Sequence, residues 1–472
     1  MEFRNKRVLI FGLGQYREGS GVSAAKFFIR RGSKVTVTDL KKEKDLKRTV
    51  RLVKGKAVLV LGRHRMSDVR NTDIIIRNPG VPNHSPYLVE ARRRKIPIYT
   101  DVSLFMQLCP CPVIGITGTR GKSTTTALVG EIMRLKNSKT FVGGNIQRSP
   151  LTFFHRLDKN SLVVLELSSW LAESLADIRQ SPEAAAVTNI YRDHLNIHGS
   201  MAAYLRAKEQ IFRFQKAGDI LALNRDNQYT RKMVGKFDRD RNKDRIFWFS
   251  MKPLPRGLRG AWVKDGWIMV DGRRVMAIDR LRLKGKHNVA NALAAAAVAA
   301  AMSVPIKKIA RVLRTFAGLA YRQEIVRLRR GVAWINDTTA TTPEATMAAL
   351  ERFSKNPKLK TQNPKPRLVL IAGGTDKKLQ FTELARVIKK YCKFVVLLDG
   401  TATDKLSRLL PVTSYQLPVT VANSMRQAVQ TARSIAERGD IVLLSPGAAS
   451  FGLFKNEFDR GDQFNRLVRR LP

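Results

Sequence analysis

The chain has 472 residues with 86 Lys+Arg against 38 Asp+Glu, and its formal net charge of +48 is typical of proteins that bind nucleic acid, acidic membranes or anionic substrates. Hydrophobic residues make up 44% of the chain, which excludes global disorder, and Gly 31, Pro 19 and Cys 3 exclude collagen-like and disulfide-rich classes. At about 150 residues per domain, the length predicts about three domains.

The first block of the chain, up to residue 99, alternates apolar strands with helical patterns, which predicts an α/β domain. The glycine loop Gly12-Leu13-Gly14 lacks the third glycine of a dinucleotide fingerprint because position 17 is Arg17, so NAD chemistry is not indicated. Asp39 ends a strand, where it either binds a ribose or caps a turn. Strands are predicted at Arg7–Phe11, Lys34–Thr38, Ala57–Leu61 and Asp73–Arg77, and a helix at Val22–Arg31.

The second block, residues 100–318, contains the most specific motif of the chain. The predicted strand Pro112–Ile116 is followed by Gly118-Thr119-Arg120-Gly121-Lys122-Ser123 and a Thr-rich helix. In a phosphate loop, backbone N–H groups turn toward phosphate oxygens, the lysine neutralises the β and γ phosphates, and the serine hydroxyl binds Mg²⁺. The strict pattern has glycine where this chain has Ile116, and the alternative is a tight turn with an incidental lysine. The strand, turn, Gly-Lys-Ser and helix together favour the phosphate loop.

Two features of the chain indicate its compartment. The stretch Asn288–Ile306 is uncharged and Ala-rich, but it is interrupted by polar residues and Pro305, whereas a membrane span needs about 20 mainly apolar residues. We therefore expect a buried helix.

Cys109 and Cys111 form a C-x-C pair with no second pair or nearby histidine to complete a zinc site, so reduced thiols in a cytoplasmic protein are expected.

The rest of the chain continues the α/β pattern, and the third block begins around Leu319. Exposed loops are predicted at Val234–Arg245 and Lys355–Pro366. Further strands are predicted at Leu162–Leu167, Ala184–Thr188, Val332–Asn336, Arg367–Ala372, Phe394–Leu398 and Ile441–Ser445.

The phosphate loop and the motifs around it resemble the ATP-dependent Mur ligases of peptidoglycan synthesis, over nearly the whole chain. The similar segments follow in family order and are Thr117–Ser123, Gly143–Ile146, Leu165–Ser169, Asp193–Leu195, Tyr204–Lys208, Gly285–Ala292, Tyr321–Arg322, Asn336–Thr338, Gly373–Lys377, Ser445–Ser450 and Phe454–Gly461. The resemblance implies three α/β domains: a Rossmann-like nucleotide-sugar-binding domain at residues 1–99, a P-loop ATPase-type Mur ligase domain at 100–318, and a Rossmann-like amino-acid-binding domain at 319–472.

The resemblance also implies an activity: ATP-dependent addition of D-glutamate to UDP-N-acetylmuramoyl-L-alanine through an acyl phosphate. It makes Lys122, His194 and Lys208 catalytic. It assigns ATP to Gly118, Thr119, Arg120, Gly121, Lys122, Ser123, Thr124, Asn291, Arg322 and Asp337. It assigns two Mg²⁺ ions to Ser123, Glu166, His194 and Lys208, the last as a carbamate. It assigns the UDP-substrate to Gly14, Asp39, Asn78, Gly144 and Asn145, and D-glutamate to Lys377, Ser450 and Phe458.

Four of these residues also have a plainer interpretation. Lys208, on the predicted helix Ala202–Phe212, would otherwise be a solvated lysine, and His194 a surface or capped core residue. Glu166 could be a solvated acid at a strand end, and Asn291 could cap or satisfy the Ala-rich helix.

Two alternative functions stay open. A sister Mur ligase could add another amino acid, although the D-N-P-R motif of the diamino-acid-adding sister is absent and Phe454–Gly461 favours the glutamate enzyme. A nucleic-acid-binding P-loop ATPase is suggested by charge alone, but aromatic residues are only 7% and the basic residues are spread over all three blocks. We expect a monomer with small-molecule substrates, without nucleic acid or membrane insertion.

Overall fold

A computed structural model of the chain describes residues 2–145, 148–236, 245–354, 368–377, 379–410, 417–450 and 452–472. The chain divides into two compact units, Met1–Phe316 (unit 1) and Ala317–Pro472 (unit 2). Among the described residues, unit 1 contains a five-stranded and a nine-stranded sheet, and unit 2 contains a six-stranded sheet. The α/β fold class is confirmed, while the boundaries predicted at 99–100 and 318–319 stay predictions.

The first sheet of unit 1 is parallel, with the strand order β3-β2-β1-β4-β5. Val8 and Ile10 of β1 pack into one apolar cluster, and Leu9 and Phe11 pack into another, so both faces of the sheet are buried. Because the strand order reverses between β1 and β4, the loops after these strands lie at one edge, where such sheets bind ligands. The elements are β1 Arg7–Phe11, α1 Ser20–Ile29, β2 Lys34–Asp39, α2 Glu43–Val50, β3 Val58–Leu61, α3 Met66–Arg70, β4 Ile74–Arg77, α4 Pro86–Arg93 and β5 Ile98–Tyr99.

The second sheet has the order β14-β13-β12-β11-β10-β9-β6-β8-β7 and is parallel from β7 to β12. Its strands are β6 Val113–Thr117, β7 Thr140–Gly144, β8 Leu162–Glu166, β9 Ala184–Val187, β10 Ile220–Asn224, β11 Ile246–Ser250, β12 Arg259–Lys264, β13 Trp267–Val270 and β14 Arg273–Ala277. Its helices are α5 Asp101–Leu108, α6 Lys122–Arg134, α7 Ser169–Glu173, α8 Leu175–Ile178, α9 Leu195–His198, α10 Met201–Arg213, α11 Gln228–Met233, α12 Lys286–Ala301 and α13 Ile306–Thr315.

The Ala-rich stretch forms the buried helix α12, as predicted. Ala292 and Ala296 are completely buried, and the helix packs against α6 and strands β10 to β12. The helix is shorter than the uncharged stretch: it ends at Ala301 because Ser303 has a φ of 56° and Pro305 precedes the next helix. Of the described helices, none is long and apolar enough to cross a membrane.

The second sheet contains strands that the sequence did not predict, namely β7 at one edge and β10 to β14 on the other side. The antiparallel pairs β12–β13 and β13–β14 are joined at Asp265-Gly266 and Asp271-Gly272, where all four residues have positive φ. Asp-Gly between apolar runs is a strong hairpin signal, so the sequence contained the information. The predicted loop Val234–Arg245 starts with a 3₁₀ turn at Val234–Lys236, and residues 237–244 and the loop Lys355–Pro366 lie outside the described residues.

Unit 2 contains a sheet with the order β15-β16-β20-β17-β18-β19, in which β15 is an antiparallel edge strand. Leu368 and Leu370 of β17 pack on one face and Val369 and Ile371 on the other, so this central strand is buried on both sides. The elements are β15 Glu324–Arg329, β16 Val332–Asn336, α14 Pro343–Ser354, β17 Leu368–Gly373, α15 Thr382–Tyr391, β18 Cys392–Leu398, α16 Thr401–Leu409, β19 Val419–Ala422, α17 Met425–Ile435, β20 Ile441–Leu444 and α18 Glu457–Arg469.

A buried arginine joins α18 to the loops at the carboxyl ends of the strands of unit 2. Arg460 is 0% exposed, and its Nε donates to Thr338 Oγ1 at 3.0 Å while its Nη2 donates to Thr338 O at 2.9 Å. Both Nη1 and Nη2 also donate to Ala448 O at 3.3 Å. Burial lowers the pKa of Arg460 to about 9. One guanidinium therefore satisfies carbonyl groups on two loops.

We predict that Arg460→Met lowers the free energy of unfolding of the protein by about 2–4 kcal/mol, because it leaves buried carbonyl groups without their donors. The matched control is Arg466→Met, on the exposed side of the same helix, with an expected change within about 0.5 kcal/mol. Urea and thermal unfolding of both variants, followed by circular dichroism, measure the difference. Equal stability of the two variants would contradict the structural role of Arg460.

Candidate active site

The phosphate loop connects β6 to α6, and two of its glycines have no space for a side chain. Gly118 has a φ of +145°, and a Cβ built on it would lie 1.9 Å from Thr188 Oγ1. Gly121 has a φ of +82°, and its Cβ would lie 2.2 Å from Asn291 Oδ1. These approaches bring β9 and α12 against the loop, so the predicted ATP residue Asn291 is near Gly121.

Two residues after β9, which the sequence analysis did not include in the site, support the loop by hydrogen bonds. Asn189 Oδ1 accepts from Arg120 N at 2.9 Å, and Asn189 O accepts from Thr119 N at 2.7 Å. Thr188 Oγ1 donates to Arg120 O at 2.7 Å. The available signal was the position of Asn189 directly after the predicted strand Ala184–Thr188.

Lys208 lies under the phosphate loop rather than in solvent. It is 1% exposed, and its Nζ donates to Gly118 O at 2.9 Å and to Thr117 Oγ1 at 3.4 Å. Burial lowers the pKa of Lys208 well below its usual value, the nearby Lys122 ammonium lowers it further, and Asp193 and Glu166 oppose the shift. The interpretation of Lys208 as a solvated lysine is therefore wrong, and the shift favours a neutral amine.

Glu166 and His194 supply groups of the kind that bind cations. Glu166 is 2% exposed at the end of β8, where its Oε1 accepts from Asn145 Nδ2 at 3.3 Å. Its Oε2 is buried and has no hydrogen-bond partner in the described part of the chain. The interpretation of Glu166 as a solvated acid is therefore wrong.

His194 precedes α9 with a φ of 53°, and its ring centroid lies 5.0 Å from that of Trp170. Burial lowers the pKa of His194, the Asp193 carboxylate opposes this shift, and the lysines Lys122 and Lys208 reinforce it. The shift favours the neutral imidazole, which is the form that binds metal ions. Within the described ranges, no group of three or more His, Cys, Asp and Glu side chains is arranged to hold a metal ion.

A cleft of about 200 Å³ brings together four of the five residues predicted to bind the UDP-substrate, namely Gly14, Asn78, Gly144 and Asn145. The fifth, Asp39, lies behind the glycine loop, where its Oδ2 accepts from Leu13 N at 2.9 Å and from Gly14 N at 3.2 Å. Its Oδ1 accepts from Lys41 N at 2.9 Å. Asp39 therefore caps a turn, as one of its two interpretations expected.

In unit 2, Asp337 follows β16 and is buried beside Ser445. Ser445 Oγ donates to Asp337 Oδ2 at 2.9 Å, and Gln323 N donates to Asp337 Oδ1 at 3.1 Å. Burial raises the pKa of Asp337 to about 7, although the hydrogen bond from Ser445 and the charge of the exposed Arg322 oppose the shift.

The three residues predicted to bind D-glutamate lie on loops and a helix of unit 2. Thr375 and Ala449 exchange two backbone hydrogen bonds of 2.9 and 3.0 Å. Lys377 is exposed and follows Thr375 by two residues, while Ser450 is buried and follows Ala449 directly, so the two predicted residues lie on neighbouring segments. Phe458, in the first turn of α18, packs against Tyr321 with ring centroids 5.6 Å apart. The bond from Arg460 to Ala448 O ties this helix to the segment of Ser450.

We predict that Asp337→Asn removes part of the pH dependence of stability. Because the folded pKa of about 7 lies above the unfolded value of about 4, Asp337 adds stability that is complete below about pH 4 and lost as pH rises through about 7. The melting temperature of Asp337→Asn should therefore fall less over this range than that of the unchanged protein. The control Asp404→Asn, at an exposed position on α16, should show the same change of melting temperature with pH as the unchanged protein. If the melting temperatures of all three proteins change equally with pH, Asp337 does not hold a proton in the folded state.

Comparisons with known proteins cover the whole chain. Family profiles match three segments: a Mur ligase MurD-like N-terminal domain at residues 6–100, a Mur ligase middle domain at 116–299, and a Mur ligase glutamate ligase domain at 321–447. The UDP-N-acetylmuramoylalanine–D-glutamate ligase of Roseiflexus sp. (strain RS-1) is 42% identical over an alignment of 478 positions, which covers 99% of each chain. The ligase of the same name from Symbiobacterium thermophilum is 35% identical, over 99% of this chain and 98% of the relative.

Solved structures show the same fold. The UDP-N-acetylmuramate-alanine ligase of Thermotoga maritima superposes with a TM-score of 0.63 at 19% identity, over 99% of each chain. A MurF ligase from Acinetobacter baumannii gives a TM-score of 0.58 at 17% identity, over 99% of this chain and 94% of the other. With all three domains matched and full-length relatives at 42% and 35% identity, the chain belongs to the Mur ligase family, whose members are ATP-dependent, Mg²⁺-using ligases of peptidoglycan precursor synthesis.

Proposed function

We propose that this protein joins D-glutamate to UDP-N-acetylmuramoyl-L-alanine at the expense of ATP. The observation that carries the chemistry is the phosphate loop packed over the buried amine of Lys208 and near Glu166 Oε2, which has no hydrogen-bond partner among the described residues. The choice of D-glutamate is supported by the names of the full-length relatives and by the motif Phe454–Gly461. A nucleic-acid ATPase has no support beyond net charge.

The reaction requires an activated acyl group, because a carboxylate does not react directly with an amine. The γ-phosphoryl group of ATP passes to the substrate carboxylate, which gives an acyl phosphate and ADP. The amine of D-glutamate then attacks the acyl carbon, phosphate leaves, and an amide forms. In such a transfer the protein contributes mainly positioning and neutralisation of charge.

The ATP site in this proposal consists of the phosphate loop and of residues that the family resemblance assigns to ATP. The backbone of Gly118 to Gly121 and the side chains of Lys122 and Ser123 hold the phosphates, and Thr124 lies in the first turn of α6. Asn291, Arg322 and Asp337 hold the adenine, phosphates and ribose, respectively. The closeness of Asn291 to Gly121 supports its role, since it faces the same loop.

The donor set fits Mg²⁺. Ser123, Glu166, His194 and Lys208 as its carbamate would hold two Mg²⁺ ions, which when bound neutralise charge on the phosphoryl oxygens. Glu166 Oε2 is a buried carboxylate oxygen with no described hydrogen-bond partner, as a cation site requires. A neutral Lys208 amine can take up CO₂, and the carbamate would add the anionic oxygen ligands that a pair of Mg²⁺ ions needs beside one carboxylate and one imidazole.

The UDP-substrate in this proposal occupies the cleft formed by Gly14, Asn78, Gly144 and Asn145, with Asp39 fixing its glycine loop. Asn145 supports this placement because it lines the cleft and also donates to Glu166.

The D-glutamate site comprises Lys377, Ser450 and Phe458, where the Lys377 ammonium pairs with a carboxylate. A cytoplasmic monomer that acts on these small molecules completes the proposal.

We predict that the purified protein, given ATP, Mg²⁺ and UDP-N-acetylmuramoyl-L-alanine, releases phosphate with D-glutamate and not with L-lysine, L-alanine or L-glutamate. Lys122→Ala should lower this rate at least about 100-fold, because it removes the cation that faces the transferred phosphoryl group. Lys252→Ala, at an exposed position of unit 1, should keep the rate. Turnover with L-lysine but none with D-glutamate would overturn the amino-acid assignment and leave the ATP chemistry standing.

We predict that Lys208 carries a carbamate. In ¹³C-bicarbonate the protein should show one carbamate carbon signal, absent in Lys208→Ala and present in Lys252→Ala. The activity should fall in CO₂-depleted buffer and return with bicarbonate, whereas Lys208→Ala should be inactive in both. A folded Lys208→Ala variant with unchanged kinetics, or a signal that survives the substitution, would rule the carbamate out.

A further inference from the structure

A pair of cysteines lies on the four-residue link Cys109–Pro112 between α5 and β6, apart from the cleft and the phosphate loop. The Sγ atoms of Cys109 and Cys111 are 3.6 Å apart, and Cys109 Sγ is 3.3 Å from the main-chain oxygen of Cys111. A disulfide requires about 2.05 Å between its sulfur atoms, so closure needs an approach of about 1.5 Å. Closure therefore requires rotation of the two side chains and an adjustment of the link.

The residues that flank the pair are held by packing and by hydrogen bonds. Before the pair, α5 ends at Leu108, and Leu108 and Cys109 pack against the apolar core that contains Cys111. After the pair, Pro112 O accepts from Val163 N at 3.1 Å, and Val113 N donates to Glu183 Oε2 at 2.9 Å. Because both ends of the link are held, the two sulfur atoms stay near each other.

The two sulfur atoms differ in exposure and in acidity. Cys109 is partly exposed, whereas Cys111 is 7% exposed. A hydrogen bond from the Cys111 thiol lowers the pKa of Cys109, and burial opposes this shift. The same bond raises the pKa of Cys111, and burial raises it further. Cys109 is thus suited to attack a disulfide as the thiolate. Cys111 is then the second thiol, which displaces the group that Cys109 has bound.

We propose that Cys109 and Cys111 are a redox-active dithiol that closes to an internal disulfide by exchange with a low-molecular-weight disulfide. The Cys109 thiolate attacks one sulfur of the small disulfide, whose S–S bond breaks and releases one thiolate. Cys111 then loses its proton to solvent and attacks Cys109 Sγ, which releases the second small thiolate. Two protein thiols are oxidised, and one small disulfide is reduced to two thiols.

The bond is expected to be labile rather than structural. Stabilisation by a disulfide grows with the length of the chain that it encloses, and this bond encloses only Pro110 between its two cysteines. The disulfide therefore adds little to the stability of the protein, and a thiol at moderate concentration should reopen it.

The test uses the full-length protein and oxidised glutathione as the probe. The protein is incubated with the probe, quenched with acid and alkylated. Mass spectrometry should then find Cys109 and Cys111 unalkylated, in a peptide that is two hydrogen atoms lighter than its dithiol form. Reduced glutathione should restore both thiols. Cys392→Ser, which removes a buried cysteine of unit 2, should leave this behaviour unchanged. Cys111→Ser should instead accumulate a glutathione adduct at Cys109.

Three results would overturn the proposal. The unchanged protein could keep both thiols alkylatable in excess oxidised glutathione. It could hold a stable glutathione adduct at Cys109, which would show that Cys111 does not resolve it. It could form a bond between Cys392 and one of the pair. Peptide mapping of the unchanged protein separates these results, so the decision does not depend on whether a variant folds.

Discussion

The absence of space for side chains at Gly118 and Gly121 is the constraint on which the candidate site depends. Thr188 after β9 lies against Gly118, Asn291 of α12 lies against Gly121, and Lys208 of α10 donates to the carbonyl of Gly118. Three elements that are distant in sequence therefore hold one loop of a few residues. These contacts fix the shape of the loop before any phosphate arrives, and an ordered loop can stabilise charge without reorganising.

The sequence predicted those parts of the structure that local patterns determine. Val332–Asn336 and Arg7–Phe11 were predicted to the residue, because continuous apolar runs form strands buried on both faces. Burial of Lys208 also had a local signal: Tyr204 and Ile211 lie on the same face of α10 and are buried. Contacts such as Asn189 to Arg120, across 69 positions, have no local pattern, and only the folded chain shows them.

The net charge of +48 belongs to the surface of the protein and not to its interior. In the part of the chain that the structure describes, the buried basic residues are Arg77, Lys208 and Arg460. The substrates in the proposed reaction are all anions, and a positive surface field raises their rate of encounter, although salt screens it within about 10 Å. Among these three, Arg460 donates to carbonyl groups on two loops and Lys208 lies under the phosphate loop.

Asn145 has a consequence for the order in which ligands bind. The same amide lines the cleft and donates to the carboxylate of Glu166, so a ligand in the cleft and a cation on Glu166 would both contact or displace this side chain. If the first ligand orders the Asn145 side chain, the second ligand does not have to order it again and binds more tightly. By thermodynamic linkage, each ligand then raises the affinity of the other by the same factor. If the proposed sites are correct, this one side chain would couple occupancy of the cleft to the affinity of Glu166 for a cation.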